Sequence, residues 1–285
     1  MYLEGYIKSD FLENFETCDK KAILVANFGT THENTRKETI DSLINEVKIS
    51  FPDFEVRECY TSRIIQKKLK EKRIFIDNPV EAMENLKKDG FTHILVIVSN
   101  IIPGIEYDAL QKNIEHFSSD FKEIRITPPL FNNSDIYLDV AQILNAHFKN
   151  SSKENSLVFV GHGTHDSSNS VYPCMDYVFK YLGYNYYVGT IEGFPSLEDI
   201  IKILKKDNIK KVSLIPFMFV SGEHAKNDIA IEWREKFIEE GFETDVDFTS
   251  LGCIKEIRNL FIEFAKFLLD YKKEDIIAKK LFYSK

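Results

Sequence analysis

The sequence lacks the features that mark disulfide-rich, membrane-spanning and secreted proteins. Its 285 residues include four cysteines, far apart and without a CxxC pair, so we expect free thiols packed as small hydrophobic side chains in a reducing compartment. No apolar run reaches the roughly 18 residues that a membrane span needs. Residues 1–20 carry acidic side chains and no apolar core, which argues against a signal peptide and predicts a short helical or irregular extension. A cytoplasmic location is therefore expected.

Clustered positive charge is also scarce. Lys and Arg number 37 against 45 Asp and Glu, which gives a formal net charge of −8. A nucleic-acid partner would need a clustered basic face, so the charge balance argues against this class of partner. It does not exclude a small anionic ligand held by a few local cations. Nothing in the sequence specifies an oligomeric state, and a homo-oligomer is compatible with it.

What the sequence does contain is a regular alternation of short β-rich runs and helical patterns. Eight runs predict strands, at residues 22–28, 54–60, 93–99, 123–130, 156–161, 186–192, 211–220 and 243–251. Several are apolar on both faces, as in a parallel sheet covered by helices on both sides. Amphipathic periodicity predicts helices between them, most clearly at residues 33–51, 134–149, 196–207 and 254–273, with Ser196 as an N-cap. This alternation indicates an α/β fold.

The eight predicted strands divide into two similar sets of four. Residues 22–34 align with 156–168, so that Gly29 matches Gly163, and residues 93–110 align more loosely with 211–228. Matches in the same order favour an internal duplication, although similarity between unrelated parallel strands is the alternative. We therefore predict an N-terminal extension (1–20), an N-terminal α/β half (21–135) and a C-terminal α/β half (136–285).

Metal-ligand side chains follow three strands of the second half. His162 follows the first strand, Glu192 ends the second, and His224 follows the third. Ligands of parallel α/β sheets bind at the carboxyl ends of the strands, so these three side chains can converge. Two imidazoles and a carboxylate suit Co²⁺, Fe²⁺, Ni²⁺ or Zn²⁺ and leave coordination positions open. Each residue alone has a plainer interpretation, as a hydrogen-bonded turn histidine, a solvated carboxylate or part of a phosphate-binding turn.

The first half does not repeat this ligand set. Phe28, Tyr60 and Glu106 occupy the positions of His162, Glu192 and His224. The second histidine of the GHGTH turn, His165, is a weaker candidate, and we interpret His32, His93, His116 and His147 as structural. A cleft with metal ligands on one wall suits the placing of a flat organic ligand against a metal ion.

At these residues the sequence resembles the single-chain, anaerobic-type cobaltochelatases of the cobalamin pathway, which are long members of the class II chelatases. The resemblance runs from about residue 20 to about residue 270. Its segments are NFGTT (27–31), YTSRIIQKKLK (60–70), NIIPGIEY (100–107), GHGTH (161–165), IEGFP (191–195) and FVSGEHAKND (219–228). The second histidine of GHGTH sits closer to the first than the family pattern suggests.

The resemblance implies two flavodoxin-like halves with parallel four-stranded sheets, related by a pseudo-two-fold axis, with the active site in the cleft between them. It implies that His162, Glu192 and His224 bind the incoming metal and act catalytically. It further implies insertion of Co²⁺ into sirohydrochlorin, or a precorrin-2-type macrocycle, without ATP or an organic cofactor. Because this macrocycle carries many carboxylates, candidate substrate contacts are Thr30, Thr31, Ser62, Arg63, Glu106, Thr164 and Lys226, with Arg36 as a further cation.

Two alternatives remain open at this level. The ligand set does not distinguish a cobaltochelatase from a ferrochelatase or nickel chelatase acting on the same macrocycle, because affinity order and metal supply decide metallation. A non-catalytic protein that holds metal or tetrapyrrole would use the same residues but release no product. A flavodoxin-like nucleotide or phosphate binder is disfavoured, since no glycine-rich fingerprint follows the first strand.

Overall fold

A computed structural model describes residues 5–149, 151, 155–222, 225–275, 277 and 279–280. Within them, the strands are β1 (Tyr6–Lys8), β2 (Lys21–Asn27), β3 (Glu55–Tyr60), β4 (His93–Val98), β5 (Glu123–Ile126), β6 (Ser156–Gly161), β7 (Tyr186–Thr190), β8 (Lys211–Pro216), β9 (Glu243–Val246) and β10 (Tyr271–Lys273). The α-helices are α1 (Glu33–Arg36), α2 (Ser42–Ser50), α3 (Arg63–Glu71), α4 (Pro79–Lys88), α5 (Ile105–Glu115), α6 (Asp135–Phe148), α7 (Val171–Tyr181), α8 (Leu197–Lys206), α9 (Arg234–Glu239) and α10 (Lys255–Asp270). π-Helical turns precede α2 and α9, at Lys37–Asp41 and Ala225–Trp233.

Two four-stranded parallel sheets form the framework. The first has the order β3-β2-β4-β5 and the second has the order β7-β6-β8-β9. The eight main strands are those predicted from the apolar runs, and the α/β fold class is confirmed. The identical strand order agrees with the expected duplication. Gly29 and Gly163, which the sequence alignment pairs, both adopt positive φ angles, of 99° and 80°, directly after the first strand of their sheets.

Local sequence signals set the helix boundaries. Helix α8 begins where Ser196 was predicted to cap it: the Ser196 hydroxyl accepts from the backbone N–H of Asp199, and the Asp199 carboxylate accepts from that of Ser196. This reciprocal pair satisfies two backbone donors that a helix start leaves unpaired. The helix then buries Ile200, Ile201 and Leu204 against the second sheet. None of the helices in the described ranges combines the length and apolar composition that crossing a membrane requires.

Of the two helices that follow the sheets in sequence, α6 stays in the C-terminal half (136–285) and α10 crosses to the N-terminal half. Helix α6 packs against α7, and Phe148 at its end meets Phe159 of β6 with ring centroids 5.7 Å apart. Helix α10, which follows the second sheet in sequence, packs instead against β4 and α2 of the first half. One apolar core therefore continues through both halves, with Phe131 and Phe217 as a contact across the boundary.

The N-terminal extension, which the sequence predicts to be helical or irregular, contains a short strand. Its β1 pairs antiparallel with β10 at the other end of the chain, a long-range contact that local sequence patterns do not reveal. The cysteines are free thiols, as predicted, but of the four only Cys59 is fully buried; Cys18 and Cys174 are exposed and Cys253 is intermediate.

Arg125 of β5 joins these chain ends. Its buried guanidinium donates to the carbonyl oxygens of Ser9, Leu268 and Tyr271, at 2.9, 2.7 and 3.1 Å, and to the carboxylate of Glu123 at 2.7 Å. These hydrogen bonds join segments that are more than 100 residues apart in sequence. A buried carbonyl oxygen without a hydrogen-bond donor destabilises the fold, so Arg125 stabilises this junction.

Replacing Arg125 by methionine is expected to lower the free energy of unfolding by about 3–5 kcal/mol, because the buried carbonyls and the Glu123 carboxylate lose their donor. Urea unfolding followed by circular dichroism measures this change. Lys266→Met is the matched control, since Lys266 forms a surface ion pair with Glu263 and its loss should cost no more than about 1 kcal/mol. Equal losses in the two variants would contradict the role given to Arg125.

Candidate functional site

A cavity of about 550 Å³ lies between the two halves. Its walls come from the loops that follow β2, β3 and β4 on one side and β6, β7 and β8 on the other. The cavity thus lies at the carboxyl ends of the strands, where ligands of parallel sheets bind. Its position between the halves is the one that the resemblance implies.

His162 and Glu192 meet on the second-half wall of this cavity. Nδ1 of His162 lies 4.0 Å from a carboxylate oxygen of Glu192, and the two side chains are 43% and 59% exposed. Nδ1 also lies 3.2 Å from the carbonyl oxygen of Gly163. A tautomer that donates from Nδ1 to this carbonyl carries its lone pair on Nε2, the nitrogen that can then bind a metal ion.

Backbone contacts fix the two ligand-bearing turns against each other. The N–H of Glu192 donates to the carbonyl of His162 at 2.7 Å, and a Cβ atom on Gly163 would lie 2.2 Å from the carbonyl oxygen of Glu192. No side chain fits there, and the φ of Gly163 is 80°, so only glycine allows this close approach. The GHGTH turn is therefore built to bring His162 beside Glu192.

A second set of hydrogen bonds supports the same turns. The Tyr172 hydroxyl accepts from the N–H of Gly163 at 3.4 Å, and the Asn169 side chain accepts from the N–H of Thr164 and donates to the carbonyl of Phe194. Burial raises the pKa of Tyr172 to about 12, so its hydroxyl stays protonated at neutral pH. Asn169 thereby links the GHGTH turn to the IEGFP turn that carries Glu192.

The third predicted metal ligand, His224, lies outside the described residues, and the side chain of Lys226 is likewise not described. Within the described ranges, no three His, Cys, Asp or Glu side chains come together in a way that could hold a metal ion. The pair of His162 and Glu192 is thus the part of the predicted ligand set that the structure locates.

Five of the predicted substrate contacts line the cavity: Thr30, Thr31, Ser62, Glu106 and Thr164. Three of their hydroxyl oxygens accept from nearby backbone N–H groups, those of Thr30 from His32, Ser62 from Ile65 and Thr164 from Asp166. A hydroxyl that accepts in this way still has its own proton to donate to an anionic ligand.

Comparison with known protein families shows which family the chain belongs to. The sequence profile described as cobalt chelatase (CbiK) matches residues 21–269, most of the chain. The chain belongs to this cobalt chelatase family.

Named relatives agree with this membership, and solved structures share the fold. A sirohydrochlorin cobaltochelatase of Salmonella typhimurium is 28% identical over 85% of the chain and 94% of its own length. Sirohydrochlorin cobaltochelatase CbiKC of Nitratidesulfovibrio vulgaris is 30% identical over 84% of each chain. The fold is similar to that of SirB from Bacillus subtilis with Fe³⁺, which has a TM-score of 0.63 and 14% identity over 87% of this chain and 94% of that one. CbiX, described as the terminal enzyme of sirohaem biosynthesis in denitrifying bacteria, has a TM-score of 0.56 and 15% identity over 87% and 99%.

In this member of the cobalt chelatase family, the first-half positions that match the ligands have other tasks. The Tyr60 hydroxyl accepts from Arg36 at 2.7 Å, and Arg36 also bonds Glu58 and Asp41. Arg36 is thus held within its own half and does not line the cavity. Phe28, which matches His162, does line the cavity and is 47% exposed.

Arg63 and His165 are exposed and do not line the cavity, although their neighbours in sequence do. Conversely, the cavity wall includes residues that the sequence interpretation did not single out. Lys68 of α3 is one, and His32, interpreted as structural, is another. The spacing of Ser62, Ile65 and Lys68 along one face of a helix is the signal that could have identified Lys68.

Much of the first-half wall is apolar. Ile64 and Ile105 line the cavity while 71% and 67% exposed, and Ile101 and Ile102 line it more deeply. Large apolar side chains at the mouth of a cavity are typical of a ligand-binding groove. The cavity therefore has His162 and Glu192 on its second-half wall and a group of large apolar side chains, among polar ones, on its first-half wall.

Proposed function

We propose that this protein inserts Co²⁺ into sirohydrochlorin, or a closely related precorrin-2-type macrocycle, and needs neither ATP nor an organic cofactor. The observation that carries the proposal is the pairing of His162 with Glu192 on one wall of a cavity whose other wall includes the exposed apolar side chains of Ile64 and Ile105. In this proposal a flat tetrapyrrole lies between these walls with one face toward the ligands. Membership of the cobalt chelatase family and the names of the relatives support the choice of metal and macrocycle.

The chemistry requires two pyrrole N–H protons to leave as one divalent ion enters. The incoming ion is held by His162 and Glu192, with His224 as the third proposed ligand, and the macrocycle then enters the cleft above it. A neutral imidazole accepts a proton readily near neutral pH, so His162 is the proposed proton acceptor, with Glu192 assisting or retaining the metal. Release of the metal by His162 would then be coupled to deprotonation of the ring.

The polar residues of the cleft have a separate task in this proposal. The hydroxyls of Thr30, Ser62 and Thr164 donate to peripheral carboxylates, as does Thr31, and Lys226 supplies positive charge. Glu106 begins α5 on the first-half wall and faces the macrocycle from the side opposite to the metal ligands. The ring is thus contacted at its edge by polar groups and on its face by apolar side chains.

The test is metal insertion by the purified protein, followed by visible absorbance. Sirohydrochlorin is mixed with Co²⁺, Fe²⁺ or Ni²⁺ in turn, without ATP, and each rate is compared with the rate without protein. We expect the largest protein-dependent rate with Co²⁺. A higher rate with Fe²⁺ or Ni²⁺ would assign a different metal, and a stable complex without turnover would show a binding protein instead of an enzyme.

A further inference from the structure

A side pocket of about 450 Å³ opens beside the main cavity, on its first-half edge. Its lining consists of Thr31, His32, Lys68, Glu71 and Lys72, and the first three of these also line the main cavity. The side pocket therefore adjoins the cleft and shares part of its wall.

The chemistry of this side pocket is that of an anion site. Lys68 and Lys72 are four residues apart on α3 and its C-cap, so their ammonium groups lie on the same helix face. Thr31 and His32, from the loop that follows β2, complete the polar lining. Glu71 contributes one opposing negative charge. Two ammonium groups against one carboxylate leave a net positive pocket that suits a carboxylate.

We propose that the side pocket binds one peripheral carboxylate side chain of the macrocycle and so fixes how the ring is rotated within the cleft. The proposal rests on the proposed function, because it takes the macrocycle as the ligand. An apolar wall holds a flat ring by its face but allows it to turn or slide. A charged contact at the edge prevents this and keeps the ring centre over His162 and Glu192.

The spacing along α3 fits this arrangement. Ile64 contacts the cavity at the start of the helix, and Lys68 follows it by four residues, a rise of about 6 Å. One helix therefore presents an apolar residue to the ring face and, one turn later, ammonium groups to the carboxylate that the ring carries.

Long-range attraction is a different mechanism that the same helix could support. In a protein of net charge −8, the segment from residue 63 to 73 has six cations: Arg63, Lys67, Lys68, Lys70, Lys72 and Arg73. Such a cluster can steer an anionic ligand without touching it. Steering depends on how many charges the helix has, whereas the side pocket depends on which lysines are present. Lys67 and Lys70 are exposed and line neither cavity, so they separate the two mechanisms.

The experiment compares the double variant Lys68→Gln/Lys72→Gln with the matched control Lys67→Gln/Lys70→Gln in the full chain. For the first variant we expect the KM for sirohydrochlorin to rise roughly 10-fold and kcat to fall, because the ring loses its edge contact and is no longer held with its centre over His162 and Glu192. The KM for Co²⁺ should stay unchanged. The control, with the same number of charges removed from the same helix, should stay close to the wild type.

An equal rise in KM in both variants would replace the side pocket with general steering, and no rise in the first variant would overturn the proposal. Binding of metal-free sirohydrochlorin, measured by quenching of its fluorescence, is the second readout. If the wild type bound sirohydrochlorin without turnover, the proposed function would be refuted but the side-pocket proposal would not. The binding titration would still compare the affinities of the two variants for the macrocycle. A loss of affinity confined to Lys68→Gln/Lys72→Gln supports the side pocket in either case.

Discussion

Replacing His162 by alanine is expected to lower the rate of Co²⁺ insertion into sirohydrochlorin by roughly 10²- to 10⁴-fold, the usual contribution of a positioned proton acceptor. The variant should lose both a proposed metal ligand and the proposed acceptor of a pyrrole proton. The fold should remain, because the side chain is 43% exposed and borders the cavity instead of the core. Initial rates from visible absorbance, with the unfolding midpoint measured alongside, test this expectation.

His165→Ala is the control for this prediction. His165 belongs to the same GHGTH turn, but it is exposed and does not line the cavity. The control variant should insert Co²⁺ at close to the wild-type rate. Full activity of His162→Ala would remove His162 from the site, and an equal loss in His165→Ala would show that the turn as a whole, and not the His162 imidazole, is required.

Gly163→Ala is expected to damage both stability and activity. The new Cβ would lie 2.2 Å from the carbonyl oxygen of Glu192 and 2.7 Å from the Cβ of Thr190, and the backbone is held at a φ of 80°. Relief of this clash has to move the two ligand-bearing turns apart. We expect the free energy of unfolding to fall by roughly 3 kcal/mol or more and the insertion rate to fall about 100-fold, as for a displacement of about 1 Å at a reacting centre.

Gly90→Ala separates the clash from the backbone strain. Gly90 has nearly the same φ, 79°, but an added Cβ would meet no atom within 4 Å. Gly90→Ala should lower the free energy of unfolding by about 1–2 kcal/mol, the strain of a non-glycine residue in the left-handed region, and leave the insertion rate unchanged. If urea unfolding and rate assays gave the same result for both variants, the contact between Gly163 and Glu192 would not be what positions the site.

The parts of the fold that the sequence predicted are those that depend on local pattern. Buried parallel strands are apolar on both faces, so β2, β4 and β6 appear as continuous apolar runs within one residue of their observed bounds. The N-cap at Ser196 depends on Ser196 and Asp199, three residues apart, so the sequence predicted it equally well. The shared strand order of the two sheets agrees with the internal duplication that the matching segments predict.

The remaining features depend on contacts that no local pattern encodes. The pairing of β1 with β10 and the return of α10 to the first half bring together residues more than 100 positions apart. For the same reason the lysine-lined side pocket was missed, since it combines the loop after β2 with α3. Arg36 and Arg63 were better candidates by sequence than Lys68, but the ion pairs of Arg36 and the helix position of Arg63 keep both out of the cavity wall.

The most direct test of the central claim is the position of cobalt in crystals of the full chain soaked with Co²⁺, located by anomalous diffraction at the cobalt absorption edge. We expect a single strong peak within coordination distance of Nε2 of His162 and of the Glu192 carboxylate, on the second-half wall of the cavity. A peak elsewhere in the chain, with none between His162 and Glu192, would contradict it.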